Sequence, residues 1–182
     1  ITHRKNPIYH VLVPFGPEEE ALLGLVWERT SLGELQKHFP EVRDLVYRGM
    51  GLVAVVQVDK RSEEEPLKIA EYLLTNNDYL KVAIVVDTDV DPRDPWEVDW
   101  ALGTRFWPEK DILVLREVPG GSIDPSCTGE EITPDLGALV RKASKLGIDA
   151  TKPSAEREKF EKIDFPAEVK EKISKLLERF QR

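Results

Sequence analysis

Two short aliphatic runs limit what this chain can become. Leu52-Val53-Ala54-Val55-Val56, extended through Gln57 to Val58, is nearly unbroken, and so is Val82-Ala83-Ile84-Val85-Val86. Both fall well short of the roughly 18 apolar residues that a membrane-spanning helix needs. Both are too continuous for a strand with one wet face, so they predict central strands buried on both sides. Between them, Pro66 to Asn76 places Leu67, Ala70, Leu73 and Leu74 on one helical face, and Asn76-Asn77-Asp78 stops it. Strand, helix, strand at this spacing predicts a parallel pair joined by a right-handed crossover.

The flanking segments extend the pattern. Ile8 to Val13 is rich in strand formers and ends at Pro14 and Gly16. Pro17 with Glu18, Glu19 and Glu20 suits a helix N-terminus, and Leu22, Leu23, Val26 and Leu35 give that helix an apolar face as far as Phe39-Pro40. Val42 to Tyr47 reads as a strand, followed by a Gly49-Met50-Gly51 turn. Asp94 is placed as a cap, with Pro95 at the first helical position and Glu97 three residues after the cap. That helix should run to about Phe106, and Asp111 to Leu115 should be a third parallel strand. From Pro119 onward, Gly120, Gly121, Pro125, Gly129 and Pro134 argue for a long connection. Val169, Ile173, Leu176, Leu177 and Phe180 form an apolar stripe on a final helix. The expected fold class is α/β: a three-layer α/β/α domain with a mostly parallel central sheet, plus a C-terminal amphipathic helix.

Charge and cysteine content narrow the function. Of 182 residues, 26 are basic and 34 acidic, for a net charge of −8. A broad basic footprint for nucleic acid or an anionic membrane is not expected. A single cysteine, Cys127, excludes an intramolecular disulfide framework and a multi-cysteine metal site. Reading from Ile1, no apolar signal segment appears, and a reducing cytoplasm is the expected compartment. His3, His10 and His38 include no pair four residues apart, and neither GxGxxG nor a GKS/GKT phosphate loop occurs.

Two features remain as candidate chemistry. The acidic turn Asp87-Thr88-Asp89-Val90-Asp91-Pro92-Arg93-Asp94 lies past the end of a strand, where open α/β sheets bind ligands. Alternating carboxylates can hold a hard cation, but no calcium-loop spacing follows, and turn and capping roles are expected to dominate. Lys68 lies in the first turn of the Pro66 helix, where backbone N–H groups attract phosphate, although Glu63 to Glu65 oppose an anion there. No catalytic residue and no metal ligand is assigned.

The order of several segments resembles one family. Lys81-Val82-Ala83-Ile84-Val85-Val86-Asp87-Thr88-Asp89-Val90-Asp91-Pro92-Arg93-Asp94 leads into Val98-Asp99-Trp100-Ala101-Leu102-Gly103-Thr104-Arg105 and Pro108-Glu109-Lys110-Asp111. Thr2 to Tyr9, Ser122-Ile123-Asp124-Pro125-Ser126 and Ser144-Lys145-Leu146-Gly147-Ile148-Asp149-Ala150-Thr151 add three further matches in order. Together they resemble the C-terminal region of the UbiD-type decarboxylases. The resemblance implies reversible decarboxylation of an unsaturated or aromatic acid with prenylated FMN, a divalent metal (Mn or Mg) and potassium. These groups are held mainly by an upstream flavin-binding domain, to which the family's catalytic arginine, acids and metal ligands belong.

On this chain the resemblance implies a flavin-phosphate contact at Lys68, with Lys60 as the rival alignment. It places Leu102 and Thr104 at the substrate pocket. Arg105 is expected, from charge, to pair with the acidic turn. Residues 1–16 would end or link from the flavin domain, 17–151 would be the α/β domain, and 152–182 a tail and docking helix. A homo-oligomer, dimer or hexamer, is the implied partner state. The alternatives are a non-catalytic assembly module and an independent α/β enzyme using a metal on the Asp87 to Asp94 turn.

Overall fold

The computed structural model describes residues 17–49, 51–121, 124, 126–132, 139–161 and 165–180. Side chains are described for 26–49, 51–121, 124, 126–127, 142–161 and 165–176. The expected strand at Ile8 to Val13 lies outside these residues. The chain divides into two compact units at Thr151/Lys152.

In the first unit the order is α1 (Pro17–His38), β1 (Val42–Arg48), β2 (Val53–Val58), α2 (Glu65–Asn76), β3 (Val82–Asp87), α3 (Pro95–Thr104), β4 (Ile112–Gly120), β5 (Thr128–Ile132) and β6 (Leu139–Ala150). The sheet order is β1-β2-β3-β6-β4, and β5 pairs with β6. β2 and β3 run parallel, with Val53 opposite Val82 and Val58 opposite Asp87. β6 continues parallel to β3, while β1 and β4 close the edges antiparallel.

The α/β class holds, but the sheet is mixed and not mostly parallel. The strand expected as the third parallel member, β4, runs antiparallel at the outer edge. The parallel position beside β3 belongs to β6, in a region that reads as connection. Lys145 and Asp149 interrupt its apolar run, and both are buried by specific partners described below.

Two apolar layers flank the sheet. On one side α1 and α2 cover it, with Leu35, Leu45, Ile69, Leu74 and Leu80 fully buried. On the other side α3 contributes Val98 and Ala101 against Val55, Ile84 and Val86. Gly147 of β6 lets α2 come close: a Cβ there would stand 3.0 Å from the Ala70 Cβ and 3.4 Å from the Leu113 Cβ.

The second unit holds a 3₁₀ turn (Ser154–Phe160) and α4 (Ala167–Phe180). Within it, Lys152 Nζ meets Glu161 Oε2 at 2.8 Å, and Lys175 pairs with Glu171 one turn away. Ile173 and Leu176 of the expected stripe are exposed. The side chains of Leu177 and Phe180 lie outside the described set. No described helix is long and apolar enough to cross a membrane.

Candidate functional site at the carboxyl ends of the strands

β2, β3 and β6 end on the same edge, because all three run parallel. Polar groups that burial would otherwise exclude gather there. Lys60 follows β2 by two residues and is 6% exposed, with its Nζ 3.3 Å from Glu63 Oε2. Asp149, the last residue but one of β6, is equally buried; its Oδ1 accepts from Thr151 N at 2.8 Å and Thr151 Oγ1 at 2.6 Å. Burial pushes the Asp149 carboxyl up to about 6, against the pull of the Thr151 donors and the Lys60 charge. Asp111 adds to the rise.

A second cluster closes the end of β3. Arg105, just past α3, is wholly buried. Its Nη1 donates to Asp87 Oδ2 at 3.1 Å and Asp89 Oδ1 at 2.9 Å, and its Nη2 donates to Asp89 Oδ2 at 2.7 Å. The guanidinium lies over the Trp100 ring, 4.6 Å from its centroid. The pairing expected from charge is therefore present.

The rest of the acidic turn is occupied with its own backbone. Asp91 Oδ1 accepts from Arg93 N at 2.8 Å, Asp94 Oδ1 from Trp96 N at 2.9 Å, and Glu97 Oε2 from Asp91 N at 2.6 Å. Gln57 Nε2 donates to Val90 O at 2.8 Å and ties the turn to β2. Turn and capping roles dominate, as expected, and Arg105 supplies the cation that Asp87 and Asp89 face. Among the described residues no group of three or more His, Cys, Asp or Glu is placed to hold a metal.

The candidate residues from the sequence do not all converge. Lys68 is exposed on α2 and pairs with Glu64 one turn back at 3.0 Å. Leu102 is half-buried against the α3-side core. Thr104 is exposed, and its Oγ1 donates to Trp100 O at 2.7 Å.

Sequence reasoning missed Asp149 and Lys145. Lys145 is buried and donates to Leu74 O and Asn77 O, both at 2.8 Å, so it satisfies carbonyls at the end of α2. Burial pulls its ammonium pKa down. A signal for the first was present: Asp149-Ala150-Thr151 and Asp124-Pro125-Ser126 share an aspartate two residues before a hydroxyl. Asp124 Oδ1 accepts from Ser126 N at 2.9 Å and Ser126 Oγ at 2.8 Å, the same turn made by Asp149 and Thr151. Lys81 Nζ joins Asp124 at 3.1 Å and fastens that turn to the start of β3.

This arrangement defines an α/β domain whose buried charges collect where open sheets receive ligands. Comparison with known proteins specifies the family. Residues 21–150 match the model of the 3-octaprenyl-4-hydroxybenzoate carboxy-lyase C-terminal domain. The chain belongs to that UbiD C-terminal family. It is 35% identical over 174 residues to the anhydromevalonate phosphate decarboxylase of Methanosarcina mazei, covering 92% of this chain and 38% of the relative. It superposes on the UbiD-class enzyme HmfF from Pelotomaculum thermopropionicum, solved in complex with FMN, with a TM-score of 0.72 at 29% identity. That match covers 92% of this chain and 36% of HmfF. The closed form of Sedimentibacter hydroxybenzoicus vanillic acid decarboxylase gives a TM-score of 0.67 at 30% identity, over 91% of this chain and 34% of that one. The chain thus spans little more than a third of the length of these relatives.

Proposed function

We propose that this chain is the C-terminal domain of a prenylated-FMN-dependent carboxy-lyase, acting in the cytoplasm as a homo-oligomer. The observation that carries the reading is the family match along residues 21–150. The relative from Methanosarcina mazei makes a phosphorylated, unsaturated carboxylic acid the favoured substrate. When bound, a prenylated flavin would supply the carbon–carbon chemistry of a decarboxylation.

The residues of this chain fit one part of that cofactor. A buried ammonium at a strand end suits an anionic phosphate. By the family resemblance, the metal, potassium and acid–base groups are assigned to an upstream flavin-binding domain that residues 1–16 would end or link from. Lys68 has the helix N-terminus and solvent access. Lys60 has burial and the neighbouring Asp149. One of the two binds the flavin phosphate. Leu102 and Thr104 stand at the end of α3, where a side chain's size sets the room left for substrate. Residues 17–151 carry these contacts, and the tail 152–182 docks on a neighbouring subunit through α4.

The test uses the whole natural gene product, co-expressed with a flavin prenyltransferase. Bound flavin absorbance and carbon dioxide release from anhydromevalonate phosphate are expected. Lys60→Ala and Lys68→Ala should differ, with flavin lost from only one of them. A natural product that never retains flavin would overturn the reading and leave an assembly module in its place.

A further inference from the structure

The two edges of the sheet are finished differently. The outer side of β1 is closed by side chains. Leu45 N donates to Asp44 Oδ1 and Tyr47 N to Glu28 Oε1, both at 2.9 Å, and Gln36 Nε2 donates to Val42 O at 2.9 Å. A bare strand edge invites a further strand, and caps of this kind prevent it. β4 forms the opposite edge. Among the described residues no strand lies beyond it, and no side chain caps the backbone from Ile112 to Leu115.

The pairing with β6 fixes which groups are left over. Leu146 N donates to Lys81 O and Asp149 N to Asp111 O, both at 2.9 Å. β6 therefore turns its even-numbered backbone groups toward β3 and its odd-numbered ones toward β4. Leu113 and Leu115 stand opposite Gly147 and Lys145, so they bond inward. The N–H and C=O of Ile112 and Val114 point out. Their side chains are 39% and 41% exposed. The exposed residues at alternate positions read Lys110, Ile112, Val114, Arg116. Among the described residues neither of these two cations has a carboxylate partner; Lys110 lies over the Trp107 ring, 5.6 Å from its centroid. Past Arg116 the register shifts and Glu117 turns left-handed, with φ 56°, which ends the regular edge. A second copy fits this edge poorly. Two β4 strands paired antiparallel, with Ile112 opposite Val114, would set Lys110 against Arg116 twice.

We propose that the outer edge of β4 is a strand-addition site for an extended segment of a partner protein, one that carries two apolar residues flanked by acids at alternate positions. Ile112 and Val114 exchange main-chain hydrogen bonds with that segment. Its apolar side chains lie beside theirs, and its acids meet Lys110 and Arg116 at the two ends. Main-chain pairing supplies the affinity, and the basic ends of an otherwise acidic chain select the partner. This interaction goes beyond the decarboxylase reading and uses none of its groups.

The probe is the acetylated and amidated peptide Glu-Thr-Val-Thr-Ile-Thr-Glu, titrated into the 182-residue chain. Amide hydrogen exchange is followed by NMR. The Ile112 and Val114 amides should exchange rapidly in the free chain at every dilution, and about tenfold more slowly with the peptide at saturation. The Leu113 and Leu115 amides, bonded to β6, should be protected throughout. Val114→Pro removes one outward N–H and leaves the pairing with β6 intact, so peptide affinity should fall about tenfold while Leu113 and Leu115 stay protected. Lys110→Glu combined with Arg116→Glu should reject this peptide and accept one with Lys in place of both Glu residues. Absence of binding, or undiminished binding by Val114→Pro, overturns the site. Slow exchange of Ile112 and Val114 without peptide overturns it too: dependence on protein concentration would identify a second copy on the edge, and independence a segment of this chain. The titration is repeated on the whole natural gene product. Binding lost there would show that the rest of the polypeptide covers the edge, which rejects the site and leaves the decarboxylase reading untouched.

Discussion

The two faces of the sheet are built differently. The α1/α2 face is an aliphatic layer, with five large side chains wholly removed from water in Leu35, Leu45, Ile69, Leu74 and Leu80. The α3 face is thin. Its helix buries only Val98 and Ala101 and leaves Trp96 83% exposed. Where the first face has another leucine, the second has Arg105 stacked on Trp100 and locked to Asp87 and Asp89. The difference separates two jobs. Aliphatic burial stabilises the fold without directing anything, whereas a buried ion network fixes one geometry for a turn at some cost in desolvation.

That contrast can be broken most sharply at Arg105. Arg105→Met fills similar volume but leaves Asp87, only 1% exposed, without its counter-charge. A loss of about 3–5 kcal/mol is expected in urea denaturation at neutral pH. Adding Asp87→Asn and Asp89→Asn to that variant should recover most of it. If the single variant unfolds like the unaltered chain, the network does not hold the turn. The dry face should respond through cavity formation alone. Leu74→Ala is expected to cost ~3 kcal/mol, and Val98→Ala on the thin face about half of that, at any pH. Equal losses at the two positions would show that the faces share stability evenly.

The layer of the fold built on β2, α2, β3 and α3 was legible because each element announces itself locally. Continuous Val/Ile runs mark buried strands, and Asp94-Pro95 marks a helix start whose cap bond is present. The fate of β4 and β6 was not legible in the same way. Local pattern carries no information about which strand takes the place beside β3. The charges on β6 also disguised a central strand as loop. Lys145, Gly147 and Asp149 alternate onto one face of β6, and each serves α2 or its approach. Lys145 caps its end, Gly147 admits its backbone, and Asp149 stands near Lys60 at the opposite edge. A charged pair flanking a glycine is read correctly only once the helix above it is known. The Arg105 pairing was foreseeable because it needs only opposite charges close in sequence. The Asp149 site was not, because Lys60 reaches it across nearly ninety residues.

Asp149 also gives the comparison its finest test, since it is a titrating group at the rim of the dry face. Its carboxyl pKa rises from 3.8 to about 6 on folding. An acid that binds its proton more tightly in the folded chain favours folding while protonated. This contribution is complete below the unfolded value and disappears as pH climbs through about 6. The span corresponds to about 2–3 kcal/mol, most of it lost between pH 4 and 7. Asp149→Asn keeps an oxygen for Thr151 N and Oγ1 but cannot ionise. Its stability in urea should therefore lack this part of the slope and exceed that of the unaltered chain at pH 8. Glu65 contributes a decline of the same sign, so the slope that Asp149→Asn removes, and not the total, measures Asp149. If the variant and the unaltered chain fall in parallel, Lys60 neutralises Asp149 completely. The edge of the sheet would then hold a permanent ion pair in place of a group that takes up a proton.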